Sequence, residues 1–410
     1  LPQPIFRMNQ LKVAWIYPSI VFGAYWKPVI ERFQKIYPKS VFFTGCVWPG
    51  FDPQDPACSA FEIVGRTRYV AAKEVGSGYK RAFILASPAV LFPLVQFAPK
   101  VVFSSAFSVW TILALLVKPL TRWRVAIMYD GSSPNSDFRD SKVRTLMRRV
   151  MAHFTDAFVA NSDAAKSYMI DVLSVPEKKI FRETYLVPDV SELTVECSEE
   201  NQRKIEALSS GLEGPTFLFV GQLIERKGIR TLLEAVRRIK EAGHDKFTIL
   251  IIGDGEKRQE FEDLARTFGV DAQIRWMGWI QYRQLGAFFQ LSDVFVFPTF
   301  EDCWGMAVLE AMTFGKPVLC STGANSCELV HEGRNGYLFP VNDPEALAAA
   351  MTKLIVTPGL AATMGAESRE IIRAYNPESA ARGFASVVAA LTGPTVREEV
   401  LPGIECMPKA

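Results

Sequence analysis

Residues 297–311 read FPTFEDCWGMAVLEA, and the organisation of the chain unfolds from them. An apolar run stops at Pro298, a short acidic loop follows, and Gly305 opens a segment whose apolar residues recur with helical spacing. That is a strand entering a helix. Upstream, strands are expected at 216–220, 247–252, 273–277 and 294–297. They alternate with helices at 229–242, 259–268 and 285–290. Downstream, a strand at 317–320, a helix at 344–355 and a last helix near 377–391 continue the rhythm. Such alternation predicts an α/β unit, a parallel sheet covered by helices.

The same rhythm, more weakly marked, runs through the first 190 residues. Strands are expected at 11–17, 40–44, 100–104, 124–128 and 157–161. Helices are expected to about residue 37 after a loop with Gly23, to residue 117, and over 142–154. Residues 82–117 are strongly apolar, but Pro88, Pro93, Pro99 and Lys100 cut them into pieces shorter than the ~20 residues of a spanning helix. Buried strands and helices are expected there, with shallow insertion into a membrane interface as the alternative. Residues 190–215 are polar and acidic, and Ser209-Ser210-Gly211 near their end marks a linker. The chain therefore divides into 1–190, 210–375 and a terminal segment, 376–410.

Net charge is +2, yet residues 1–190 hold about 24 basic and 14 acidic side chains, and the remainder is acidic. A basic half points to an anionic partner, and a merely solvated basic face explains the same count. The clusters at 118–124 and 142–149 interleave basic and apolar residues, a pattern suited to anionic lipid. No nucleic-acid recognition motif accompanies them, so nucleic acid is not expected as a partner. Seven cysteines without metal-type pairs, and three scattered histidines, predict no metal site and a reducing setting. The first apolar stretch is too short for a signal peptide. The expected location is cytoplasmic, or peripheral on the inner face of a membrane.

In doubly wound sheets, ligands lie beyond the carboxyl ends of the strands. The loops there carry Gly221-Gln222, Lys227, Gly253-Asp254-Gly255, Gly278-Trp279 and the 298–305 segment. A helix opened by Gly305 offers the N–H groups of Met306 and Ala307 and a positive dipole end, which suit a diphosphate. Asp302 and Glu310 flank that start, and carboxylates accept hydrogen bonds from vicinal hydroxyls. An acid before a helix also serves as an ordinary cap. Lys227 lies at a helix start, where a cation is unfavourable unless an anion faces it.

The segment from Asp302 through Cys303-Trp304-Gly305 to Leu309-Glu310-Ala311-Met312 resembles the signature of family 4 glycosyltransferases of the GT-B fold. Gly315-Lys316-Pro317-Val318 and Asn335-Gly336-Tyr337-Leu338-Phe339 extend the likeness, which covers most of 215–350. The resemblance implies two Rossmann-like domains facing each other across a cleft, an acceptor side in the first half and a nucleotide-sugar donor side in the second. It implies that Glu310 holds the donor ribose and Asp302 the hydroxyls of the transferred sugar. Lys227 would brace the diphosphate, with Gln222 standing where the family has arginine. Gly253 would lie near the nucleotide, and the backbone at Gly278-Trp279 would face the base. Such backbone contacts leave uracil and guanine both open. Gly23 would lie beside the phosphates, and Tyr129-Asp130 stands where the family often has His-Asp beside the reacting sugar.

The implied activity is metal-independent transfer of a hexose, with retained configuration, from a UDP- or GDP-sugar. The acceptor would be a glycan or lipid-linked, in polysaccharide or glycolipid synthesis of bacterial type. No cofactor is expected. Two alternatives stand beside it: a sugar-nucleotide epimerase on the same fold, and a nucleotide-sugar-binding protein without catalysis. The departures at Gln222, Asp302 and Tyr129 keep the second open.

Overall fold

The computed structural model describes residues 10–20, 25–75, 79–193 and 209–393. Gly23, most of the linker and the final residues lie outside this set. In the first half, the strands are β1 (Val13–Tyr17), β2 (Ser40–Thr44), β3 (Phe61–Ile63), β4 (Thr67–Val75), β5 (Tyr79–Ala86), β6 (Val101–Ser105), β7 (Arg124–Tyr129), β8 (Ala157–Ala160) and β9 (Ile180–Arg182). Seven make one parallel sheet in the order β3-β2-β1-β6-β7-β8-β9, and β4 and β5 pair as an antiparallel hairpin. The second half holds β10 (Thr216–Val220), β11 (Thr248–Ile252), β12 (Ile274–Gly278), β13 (Val294–Phe297), β14 (Val318–Ser321) and β15 (Gly336–Phe339). These form a parallel sheet in the order β12-β11-β10-β13-β14-β15. Each order reverses direction once, beside β1 and beside β10, which opens a crevice at the carboxyl ends of those strands.

The central strands are continuous apolar runs because both sheet faces are covered. VAWIY in β1 and TILII in β11 are buried at every position. Helices Ile229–Glu241 and Pro344–Val356 seal one face of the second sheet, and helix Met306–Thr313 packs on the other.

Three elements differ from the sequence reading. The hairpin β4–β5 was not expected, because β4 carries Lys73 and Glu74, lacks a clean alternation, and shifts register between Ala71 and Glu74. Helix Leu360–Ile372 was not expected, because Gly365 and its alanines blur any apolar stripe. The apolar stretch 82–117 is also less buried than expected. It contains β5, helix Leu91–Phe97, β6 and the first turns of helix Val109–Thr121, yet Phe92 is 78% exposed and Leu116 70%. One side of each helix packs on the sheet, and these residues lie on the other.

The basic clusters are rearranged as well. Lys118 and Arg124 both pair with Asp156, at 2.6 and 3.1 Å. Arg148 turns inward to donate to the Tyr168 hydroxyl and the Asp137 carbonyl, both at 2.7 Å. What faces solvent on helices Val109–Thr121 and Lys142–Phe154 is substantially apolar: Leu116, Leu120, Val143 and Leu146 are exposed.

The last helix, Pro377–Thr392, leaves the second half and completes the core of the first. Asn376 and Ser379 form a reciprocal cap at its start. The Phe384 ring meets Trp15 edge-on with centroids 4.5 Å apart, and Ala380, Ala381 and Val387 are buried in the same cluster.

Candidate active site

The strand-end loops of the second sheet are knitted together by their backbones. Gly221 N–H donates to the Ile252 carbonyl at 3.0 Å, Gly253 N–H to Gly278 at 2.8 Å, and Leu223 N–H to Asp254 at 3.0 Å. Gln222 is exposed on this rim, and Trp279 is 69% exposed with its indole in solvent.

Lys227 sits in a single turn, Glu225–Lys227, ahead of the first long helix of this half. Its ammonium meets Asp302 Oδ2 at 2.5 Å. Arg226 lies 3.8 Å from the same oxygen and donates to the Glu301 carbonyl at 2.6 Å. Two adjacent cations therefore converge on the acidic loop. The Asp302 backbone is fixed by its N–H bond to the Gly323 carbonyl at 3.0 Å, and its Oδ1 accepts from Trp304 N–H at 3.2 Å.

Gly305 caps the following helix with φ +96°, in the region that favours glycine. A Cβ there would come within 2.8 Å of both the Phe297 ring and Ser326 Oγ. The N–H groups of Met306 and Ala307, both half-buried, precede the first intrahelical acceptor. One turn on, Glu310 is buried. Its Oε1 accepts from the Tyr282 hydroxyl at 3.1 Å and, across the cleft, from the Tyr25 hydroxyl at 3.3 Å. Burial pushes the Glu310 carboxyl up to about 7, against the pull of those two hydroxyls. Burial, then the nearby carboxylate, raises both tyrosines.

The first half meets this loop directly. Glu301 points away from the cations and accepts from the Asn135 backbone N–H at 2.9 Å and its side-chain amide at 2.5 Å. The Asn325 amide donates to the Ser132 and Cys303 carbonyls at 2.7 and 2.8 Å. Gly131 presses so close that a Cβ would lie 1.9 Å from the Cys303 carbonyl oxygen. The Trp304 indole N–H donates to the Leu186 carbonyl at 2.9 Å.

Tyr129, which the resemblance sets beside the reacting sugar, shares none of these contacts. Its ring stacks on Tyr168 with centroids 5.5 Å apart, and its hydroxyl donates to Asp137. Strand alternation puts Tyr129 with Ile127 in the cluster on one face of β7, where the buried Asp137 offers an acceptor. Asp130 accepts from the Tyr17 hydroxyl at 2.8 Å and the Tyr185 hydroxyl at 2.7 Å. Burial pushes its carboxyl up, and these hydroxyls pull it back. The structure thus brings Lys227, Asp302, Gly305, Met306, Ala307 and Glu310 together, with Gly221, Gly253 and Gly278 along the adjoining rim. Sequence reasoning missed Tyr25, Tyr282, Asn135 and Asn325; nothing local in the sequence marks residues that act across a cleft. Arg226 was legible only as a base beside Lys227. Among the described residues, no group of three or more His, Cys, Asp or Glu side chains is arranged to hold a metal ion.

Residues 200–371 match the family model of the glycosyl transferases group 1. The chain is 27% identical over 165 residues to the lipopolysaccharide core biosynthesis glycosyltransferase LpsE of Rhizobium meliloti, covering 40% of this chain and 46% of that protein. It is 23% identical over 287 residues to a D-inositol 3-phosphate glycosyltransferase of Corynebacterium kroppenstedtii, covering 68% and 63%. The matches thus span about half to two thirds of these relatives. Among solved structures, HepE of Anabaena in complex with UDP superimposes with a TM-score of 0.73 at 15% identity, covering 93% of this chain and all of that one. The fold is GT-B: two parallel-sheet α/β domains facing each other.

Proposed function

We propose that the protein is a retaining glycosyltransferase of family 4 type. It moves a hexose from a nucleoside diphosphate sugar to a glycan or lipid-linked acceptor in polysaccharide or glycolipid synthesis. The observation that carries this reading is the Lys227–Asp302 pair beside the Gly305-opened helix. Lys227 and Arg226 are held by Asp302 and its loop. A diphosphate at the helix start competes for both cations and releases the Asp302 carboxylate to accept from sugar hydroxyls. Glu310 accepts from the ribose hydroxyls once Tyr25 and Tyr282 yield their bonds.

In transfer, the bond from the anomeric carbon to the diphosphate oxygen breaks. The acceptor oxygen bonds to that carbon on the same face, and its proton passes to the departing phosphate. Negative charge grows on the diphosphate as it leaves, so the cations and the helix end stabilise the transition state more than the ground state. The positive charge comes from protein groups, which supports transfer without a divalent metal.

The exposed Leu116, Leu120, Val143 and Leu146, beside Arg122 and Lys142, support a peripheral position on anionic membrane. No single helix among the described residues is long and apolar enough to cross one.

The reading is tested by calorimetric titration with UDP- and GDP-sugars, followed by NMR of the anomeric proton of the product formed on a panel of glycan and lipid-linked acceptors, in EDTA. A retained anomer without added metal is the expected result. Tight donor binding with neither transfer nor slow hydrolysis would instead mark a binding protein, and turnover of donor alone into an epimeric sugar would mark an epimerase.

A further inference from the structure

Helix Lys142–Phe154 carries its apolar stripe outward. Val143, Leu146, Met147, Val150 and Phe154 recur every three or four residues, so they share one face, and all five are exposed. The stripe runs about 17 Å along the helix. It continues onto helix Val109–Thr121, where Lys118 donates to the Phe154 carbonyl at 2.7 Å and Leu116 and Leu120, on either side of that lysine, are exposed. At its other end the helix leaves the loop that meets the acidic segment of the second half. Ser132 and Asn135 of that loop bond to Asn325 and Glu301, on either side of Asp302.

Between the loop and the stripe stand two guanidiniums. Arg139 donates from Nε to Asp137 Oδ2 at 3.0 Å and from its terminal nitrogen to Ser132 Oγ at 3.1 Å. Arg148 reaches only the Asp137 carbonyl and the Tyr168 hydroxyl at bonding distance of 2.7 Å. Asp137, whose side chain is buried, is the one carboxylate bonded to either guanidinium among the described residues. Two cations thus stand over one anion. Aromatic rings hold them in place: the Tyr168 ring centre lies 5.5 Å from Arg139 and 5.8 Å from Arg148, and Phe107 lies 5.3 Å from Arg148. The rings carry no formal charge, so the surplus stays positive, and the Arg139 side chain is 43% exposed to whatever approaches. Guanidinium forks suit an anion with several oxygens, and phosphate fits them better than a single carboxylate. The stripe suits a hydrocarbon surface. One kind of molecule meets both: a lipid whose phosphate lies between its chain and its sugar.

We infer that the acceptor is a lipid-linked phosphate taken from a bilayer, and that Arg139 and Arg148 bind its phosphate. The stripe rests in the bilayer interface, the arginines lie at phosphate level, and the sugar end of the acceptor reaches past Ser132 to the Asp302 loop. The inference rests on the transferase reading and narrows its acceptor.

Flotation of the full chain with phosphatidylcholine vesicles tests this, the vesicles carrying either a polyprenyl diphosphate or phosphatidylglycerol at matched charge. The diphosphate vesicles are expected to bind at least about tenfold more tightly, the ratio that one charge-assisted hydrogen bond supplies. Arg139→Gln should bring that ratio close to one, whereas a general loss of surface charge lowers both affinities together and leaves the ratio unchanged. Arg139→Lys, which keeps the charge without the fork, should recover part of it. Should Arg139→Gln melt early, Arg148→Lys, which keeps the inner charge, carries the same comparison. A ratio near one in the parent, or a high ratio that survives the substitutions, overturns the inference. Calorimetry with inorganic pyrophosphate separates a lipid from a soluble anion: an Arg139-dependent affinity as high as that for the lipid would overturn the lipid assignment. Titration with UDP and GDP reads the donor site on its own. If either binds while the lipid preference is absent, only this inference falls; if neither binds, the transferase reading falls and takes this inference with it.

Discussion

Glu310 couples stability and ligand binding to pH in opposite directions. Burial raises its carboxyl from the ordinary glutamate value to about 7, so the folded protein binds the proton more tightly than the unfolded chain. The resulting stability is fully present below about pH 4.5 and is lost as pH rises through about 7. Glu310→Gln, which keeps an acceptor for Tyr25 and Tyr282, should therefore be more stable than the parent at pH 8, by on the order of 1–3 kcal/mol, and equal to it near pH 4. Urea unfolding at the two pH values checks this; a constant difference would contradict it. Donor affinity should rise across the same interval in the parent, because the ionised carboxylate is the stronger acceptor, and should be flat and weaker in the variant. Lys227→Ala should lower kcat by roughly 10²–10³ and weaken donor binding less, since its charge matters most as the diphosphate leaves. Gln222→Arg should leave kcat within about twofold, because Arg226 already stands 3.8 Å from Asp302. A steady-state rate series on the two variants decides, and full activity in Lys227→Ala would remove it from the site. Lys227, Asp302 and Glu310 were legible in the sequence because they lie at fixed distances from Gly305 or Gly228 in motifs a single loop can carry. Tyr129 was less legible, because its position at the end of β7 says where the backbone runs and not which sheet face the ring takes.

At the scale of elements, the sequence was most legible where both faces of a strand are covered. TFLFV, TILII and VFVF admit no other reading once glycine-bearing loops bound them. Legibility failed at the hairpin β4–β5, where Lys73 and Glu74 coincide with a register shift between Ala71 and Glu74. It failed again for surface helices, since apolar content alone does not reveal which side packs. Helices Val109–Thr121 and Lys142–Phe154 show the difficulty: their basic residues partly turn inward while leucine and valine face out. Leu116→Glu with Leu120→Glu should leave the fold intact, because these side chains are 70% and 86% exposed. The pair should reduce cosedimentation with anionic vesicles by at least about tenfold, since each buried aliphatic side chain contributes about 1.5–3 kcal/mol and added carboxylates repel the surface. Unchanged partition into anionic vesicles, or equal partition of the parent into neutral ones, would detach these helices from the membrane.

For the whole molecule, the two sheets are joined at several points: Glu301 to Asn135, Trp304 to Leu186, Arg182 to Glu328, and the last helix laid across the first core. Phe384 packs against Trp15, Phe103, Trp26 and Tyr185, and it is fully buried. Phe384→Ala should therefore destabilise the first half, remote in sequence, by about 3–5 kcal/mol. Calorimetry should record this as a lowered or newly separated transition, with protection of β1 and β6 lost in hydrogen exchange. A loss confined to the second half would mean that the helix belongs there. The position of that helix also orders events at the ribosome. Residues 13 to 187 emerge first, and their sheet contains Trp15 and Phe103, yet the Phe384 side of that core arrives only after the entire second sheet has been made. The second half can close on itself while the chain is still growing. The first half must wait, with part of its aromatic core unsealed, until the last helix has followed.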